Sequence, residues 1–157
     1  MRAVSLIAFF SASTPLLAGT PNFDAEIVSS PRLLSYAQLE KTTLLAEKGD
    51  YLAQIKLCEY YPSSPYAEGY WSDAEYETGK KWCLLASEHG DAASQFKLAL
   101  IYSSDLENKD FASAYFWGKI GAKSDLERRF VGSIKKQLTV QKLEEMDKAV
   151  ELWIKKN

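Results

Sequence analysis

The sequence predicts an all-α protein built from αα-hairpin repeats, stacked as a short right-handed superhelix (a solenoid) and closed by a C-terminal capping helix. Three observations carry this expectation. From Ser35 onward, side chains of one helix face recur at steps of three and four residues. The pair Gly49-Asp50 returns as Gly90-Asp91, 41 positions later and among matching residues. Finally, Thr139 to Lys156 places Leu143, Met146, Val150 and Trp153 along one side of a helix and many charges along the other.

A chain of 157 residues, 46% hydrophobic and 25% charged, has the size and balance of one folded domain with a core. Its 19 basic and 21 acidic residues leave a net charge of -2. No cationic excess is available for a phosphate backbone, so nucleic acid is not an expected partner. One His and two Cys fall short of a zinc site with three or four such ligands, and neither a metal nor another cofactor is expected. His89, directly before Gly90, reads as a cation completing a helix C-terminus rather than as a catalytic base. No nucleophile-elbow motif accompanies any Ser, so the composition argues against an enzyme.

Residues 1–18 read as a secretory signal peptide. Arg2 supplies the positive start, Ala3 to Phe10 the short apolar run, and Ala18 the small residue at the cleavage point. The run is shorter than the roughly 20 residues a membrane span requires. No later segment is apolar enough to cross a bilayer, and the expected compartment is an oxidising bacterial periplasm. Residues 19–34 carry Pro21-Asn22 and Ser30-Pro31 and read as an irregular lead-in.

Helical repeats are expected over residues 35–138. The first helix places Leu39, Thr42, Thr43 and Ala46 on one face and stops at Lys48-Gly49-Asp50. A second runs from Tyr51 to about Tyr61, before Pro62. Pro62 to Asp73 is a loop rich in Pro, Ser, Gly and aromatic residues. The third helix spans Ala74 to His89 and stops at Gly90-Asp91. The fourth runs to about Tyr102, before a polar loop from Ser103 to Lys109. Residues 139–157 form the capping helix, expected to close the exposed end of the stack.

Sliding the chain by 41 positions aligns Gly49, Asp50, Gln54, Lys56, Leu57 and Tyr61 with identical residues, six of thirteen positions. A third, degenerate copy places Ala114-Tyr115-Phe116-Trp117 and Ser124-Asp125 about 34 residues after Lys80-Lys81-Trp82 and Gly90-Asp91. One such helix pair cannot bury its own apolar face, so successive pairs stack.

The stretch from Trp82 to Tyr102 resembles the Sel-one-like repeat, a relative of the tetratricopeptide repeat. That unit carries an aromatic followed by Ala, then Gly-Asp, Ala-x-x-Gln and Leu-x-x-x-Tyr. Ala46 to Tyr61 matches its second half, and the third copy departs from it at Ser124, where Gly is usual. The resemblance covers roughly residues 35–135 and implies a helical scaffold that binds other proteins. Periplasmic members of the family include immunity proteins that neutralise lipase or phospholipase toxins delivered by type VI secretion. A few cysteine-rich members are linked to penicillin binding; they carry Cys pairs in repeat after repeat, whereas this chain has one pair.

The aromatic residues around the long loop are the candidate partner-binding set. Tyr61, Trp82, Phe96, Tyr102, Phe116 and Trp117 are accounted for as repeat packing. Tyr60, Tyr66, Tyr70, Trp71 and Tyr76 are not, and they share the loop region with Glu68, Asp73, Glu75 and Glu77. Tyr and Trp bury much area with few rotatable bonds, which suits them as interface anchors. Tyr60, Tyr66, Tyr70, Trp71, Asp73, Glu75 and Tyr76 are therefore expected to meet a protein partner. The competing expectation is that these rings fold back over the first helix pair.

Two Cys in an exported chain favour one bridge, between Cys58 and Cys83. They fall on helices that neighbour each other in a stacked repeat, within reach of the roughly 5.5 Å Cα separation a disulfide needs. The alternative treats both as small buried hydrophobes, since Cys58 aligns with Ala99. Taken together, the expected function is a non-catalytic periplasmic protein that binds a partner protein, most sharply a toxin neutraliser. The alternatives are a general envelope adaptor and a repeat enzyme of the penicillin-binding or hydrolase kind.

Overall fold

The computed structural model describes residues 34–64, 72–104 and 109–157, and all regular structure among them is helical. Seven helices follow one another: α1 (Tyr36–Glu47), α2 (Tyr51–Tyr60), α3 (Asp73–Glu88), α4 (Ala92–Ser104), α5 (Phe111–Gly121), α6 (Asp125–Lys135) and α7 (Val140–Lys156). The expected signal peptide and almost all of the lead-in lie outside the described residues. So do the central part of the long loop and most of the loop after α4.

Each start is set by a short polar side chain. Ser35, Ser72 and Ser124 each form a capping box with the residue three positions on, Gln38, Glu75 and Glu127 respectively. Asp50, Asp110 and Thr139 accept the backbone N–H of Ala53, Ser113 and Lys142. The ends differ slightly from expectation: α3 begins at Asp73 and stops at Glu88, with His89 as its C-cap, and α4 continues to Ser104.

The two Gly-Asp junctions are the same structure twice. Gly49 and Gly90 take φ of 90° and 87°, a conformation that Gly adopts without a Cβ penalty. Their N–H groups bond to the carbonyls of Ala46 and Ser87, and those of Asp50 and Asp91 reach Leu45 and Ala86. The Asp side chains then accept from Ala53 and Ser94. Gln54 and Gln95, buried to 4% and 2% exposure, each donate Nε2 back across the junction, to Ala46 O and Ser87 O, both at 3.1 Å. The third junction departs where the sequence does. Ala122 ends α5 in an extended conformation, Ser124 caps α6, and exposed Arg128 donates to the Lys123 carbonyl.

Packing follows chain order: α1 to α5 each pack on the next, α2 also touches α4, and α7 packs on α5. One core cluster joins Ala46, Ala53, Leu57 and Trp82. A second runs from Cys58 and Tyr76 through Cys83, Leu98 and Ile101 to Trp117. A third joins Ala114, Tyr115, Val131 and Ile134 to Leu143 and Met146 of α7. Trp153 of α7 meets Trp117 edge-on at 6.3 Å.

Candidate functional site

The long loop leaves α2 through a segment that neighbouring helices hold in place, and it enters α3 at the Ser72 cap. Cys58 and Cys83 are joined by a disulfide, with Cα atoms 4.5 Å apart and exposures of 1% and 0%. Both sequence readings of this pair therefore meet: the residues are bonded, and they are also core. Tyr61, next after α2, lays its Cβ against the bare backbone of Gly79 in α3. Tyr60 and Tyr61 meet edge-to-face at 5.1 Å. Beyond them, Ser104 at the end of α4 donates its hydroxyl to the Ser63 carbonyl at 3.1 Å.

Lys97 of α4 completes this anchorage. Its ammonium donates to the carbonyls of Cys58, Glu59 (3.2 Å) and Tyr61 (2.6 Å), groups that the end of α2 leaves without helical partners. Burial pushes the Lys97 pKa down to about 8, with the negative charge of Glu59 pulling the other way. Burial likewise raises the Tyr61 phenol, helped by Tyr60 and Glu75, and raises Tyr102, helped by Asp110 and Glu77.

The expected partner-binding residues divide among three environments. Tyr66, Tyr70 and Trp71 lie outside the described residues. Tyr60 is half-buried at the end of α2, and Asp73 is exposed at the first position of α3. Glu75 accepts from the N–H and hydroxyl of Ser72, both at 2.8 Å, and these bonds hold its carboxyl below the usual range. Tyr76 corrects the sequence reading. Only 4% exposed, it packs in the second core cluster and donates its hydroxyl to the Ile101 carbonyl at 3.1 Å. It ties α3 to α4 and is not presented to a partner.

His89 is exposed at the end of α3, its ring 6.0 Å from that of Tyr51, in the cap position that its place before Gly90 predicted. Among the described residues no three His, Cys, Asp or Glu side chains are grouped to hold a metal ion. No helix among them is long and apolar enough to cross a membrane.

Two features escaped the sequence reading. Lys97 entered it only as an identity with Lys56, which is exposed; nothing in the two residues themselves distinguishes them. The second is a groove of about 310 Å³ between α5 and α6, lined by Tyr115, Lys119, Val131 and Lys135 among others. Its one-dimensional signal was the i, i+4 pair Tyr115/Lys119 facing Arg128, Gly132 and Lys135 at helix spacing. Comparison with known protein families, curated proteins and solved structures finds no match to this chain.

Proposed function

We propose that this chain is a non-catalytic, periplasmic protein-binding repeat protein whose hairpins stack as a short right-handed superhelix, and that it neutralises a toxic enzyme of lipase or phospholipase type. The observation that carries the reading is the clamp at the base of the long loop. The disulfide, the three carbonyls on Lys97, the Tyr61–Gly79 contact and the Ser104–Ser63 bond hold its α2 end, and Ser72 caps the helix at its other end. Such a frame lowers the ordering cost of presenting Tyr66, Tyr70 and Trp71 to a partner. The repeated Gly-Asp and Gln geometry supports the stacked-repeat reading, because both junctions set consecutive helices by the same bonds.

The test begins with capture of the partner from envelope extracts. The purified protein is expected to inhibit the captured enzyme stoichiometrically and to turn over none of its substrate. A Tyr70→Ala, Trp71→Ala double variant should weaken binding by about 2 kcal/mol or more with the helices intact. Unchanged affinity would move the interface away from the loop. A captured partner with no toxic activity would replace neutralisation with an envelope adaptor role. An unprocessed chain, retaining residues 1–18 and found in the cytoplasm, would remove the periplasmic reading.

A further inference from the structure

The groove between α5 and α6 lies away from the loop clamp and has its own chemistry. Its α5 wall carries Tyr115, Gly118, Lys119 and Ala122, and its α6 wall carries Arg128, Val131, Gly132 and Lys135. The floor is small and apolar, and three cations stand around it. Their hydrogen-bonding capacity is only partly used. Tyr115 donates its hydroxyl to Asp147 at 2.8 Å, and Lys119 donates to that same hydroxyl at 3.1 Å and to Asp147 at 3.2 Å. Arg128 pairs with Asp125 at 2.6 Å through Nη2, donates Nη1 to the Lys123 carbonyl at 2.7 Å and helps lower the nearby Glu127 carboxyl. The Lys135 ammonium makes no hydrogen bond or ion pair among the described residues, although it lies close enough to Asp147 to help lower that carboxyl.

Three cations therefore stand among three carboxylates, Asp125, Glu127 and Asp147, and Lys119, Arg128 and Lys135 still retain N–H donors for another acceptor. The apolar strip between them is bare where it matters. A Cβ added at Gly132 would meet nothing within 4 Å, so the α6 wall is open at the residue flanked by Arg128 and Lys135. A volume of about 310 Å³ is at the small end for a ligand cavity and sufficient for a short chain with one head group.

We propose that this groove binds a small amphiphile, its anionic head meeting Lys119, Arg128 and Lys135 and its short apolar body lying on Ala122, Val131 and the open backbone at Gly132. The chemistry required of the head is a negative charge with several acceptor oxygens, which a carboxylate and a phosphate monoester share. The apolar body displaces water from Val131 and Ala122, a gain that a bare anion cannot make.

The full chain is titrated with octyl phosphate, octanoate, inorganic phosphate and octanol, each below its aggregation limit, with backbone amide resonances of α5 and α6 as the readout. Octyl phosphate or octanoate should bind saturably, with Kd of about 1 mM or tighter and at least about tenfold tighter than inorganic phosphate or octanol. The tighter of the two identifies the head group. Equal binding by inorganic phosphate, equal binding by octanol, or no saturable binding at all overturns the proposal. An Arg128→Ala, Lys135→Ala variant should lose at least about tenfold in affinity, and Gly132→Leu should block the groove without changing its charge. These side chains are exposed, so the helices should survive both changes. Undiminished binding by Gly132→Leu places the ligand elsewhere and overturns the assignment.

Discussion

The ammonium of Lys97 lies 2.6 Å from the carbonyl oxygen of Tyr61, so a side chain of α4 caps the end of α2, two helices earlier in the chain. The bond spans 36 positions of sequence. It ties α4 to the backbone of α2 at the point where the long loop begins.

Lys97→Met should keep most of the aliphatic packing and leave the carbonyls of Cys58, Glu59 and Tyr61 without their cation. A loss of about 1–3 kcal/mol in unfolding free energy is expected, the usual cost of stranding partly buried acceptors. Amide exchange should quicken near residues 60–64 more than in α6. A variant as stable as the parent chain would show that water serves these carbonyls equally well.

Lys97 also sets a pH dependence. Its folded pKa, lowered to about 8, lies below the ordinary lysine value of 10.5, so between these limits the unfolded chain binds more protons than the folded one. Stability contributed by this group therefore rises with pH across that window, and below about 8 the cost of burying the charge is present in full. The phenols of Tyr61, Tyr102 and Tyr115, all raised, act in the opposite sense above about pH 10, because folding retains protons that the unfolded chain has lost. Denaturation of the parent chain and Lys97→Met should show the difference moving toward the parent by about 1–3 kcal/mol from pH 8 to 10. A flat difference would mean that the three carbonyl acceptors cancel the effect of burial.

Reduction of the Cys58–Cys83 bond opens a loop with a sequence separation of 25. Chain-entropy reasoning assigns such a closure about 3–4 kcal/mol. Thermal unfolding with and without reductant, or of a Cys58→Ala, Cys83→Ala variant, should show a loss of that order. An unchanged midpoint, or two titratable thiols in the unfolded, unreduced chain, would contradict the bridge.

Gly90→Ala tests the repeated junction. At a φ of 87° an added Cβ is strained even though nothing lies within 4 Å of it, so a cost of about 1–2 kcal/mol is expected from backbone strain alone. Gly49→Ala should behave alike, while Gly132→Ala, in an open position of α6, should be neutral or mildly stabilising. Equal effects at all three would separate the cost from the left-handed conformation.

Local features were legible in the sequence because neighbouring residues settle them. The capping Ser and Asp residues, the two Gly stops, the helix face of Leu39 and Ala46, and the apolar side of α7 depend on contacts within a few positions. The Cys pairing was legible as well, since the repeat period places α2 beside α3. The candidate loop was less so. Its composition singled out Tyr76 with its neighbours, but only the approach of α4, whose Ile101 carbonyl accepts from the Tyr76 hydroxyl, made that ring part of the core.

The period, the caps and the helical class thus belong to the sequence by itself. What tertiary structure decided is the use of equivalent residues. Lys56 and Lys97 occupy the same repeat position, yet Lys56 is exposed, and Lys97 reaches the end of α2 because α2 touches α4. Likewise Tyr115 and Lys119, neighbours on α5, meet Asp147 only because α7 returns to pack on α5. The physical reason is range. Helix punctuation is governed by backbone groups three to five residues apart, whereas the burial of a cation or a phenol is fixed by whichever neighbouring helix, from 25 to 39 positions away, supplies its acceptor.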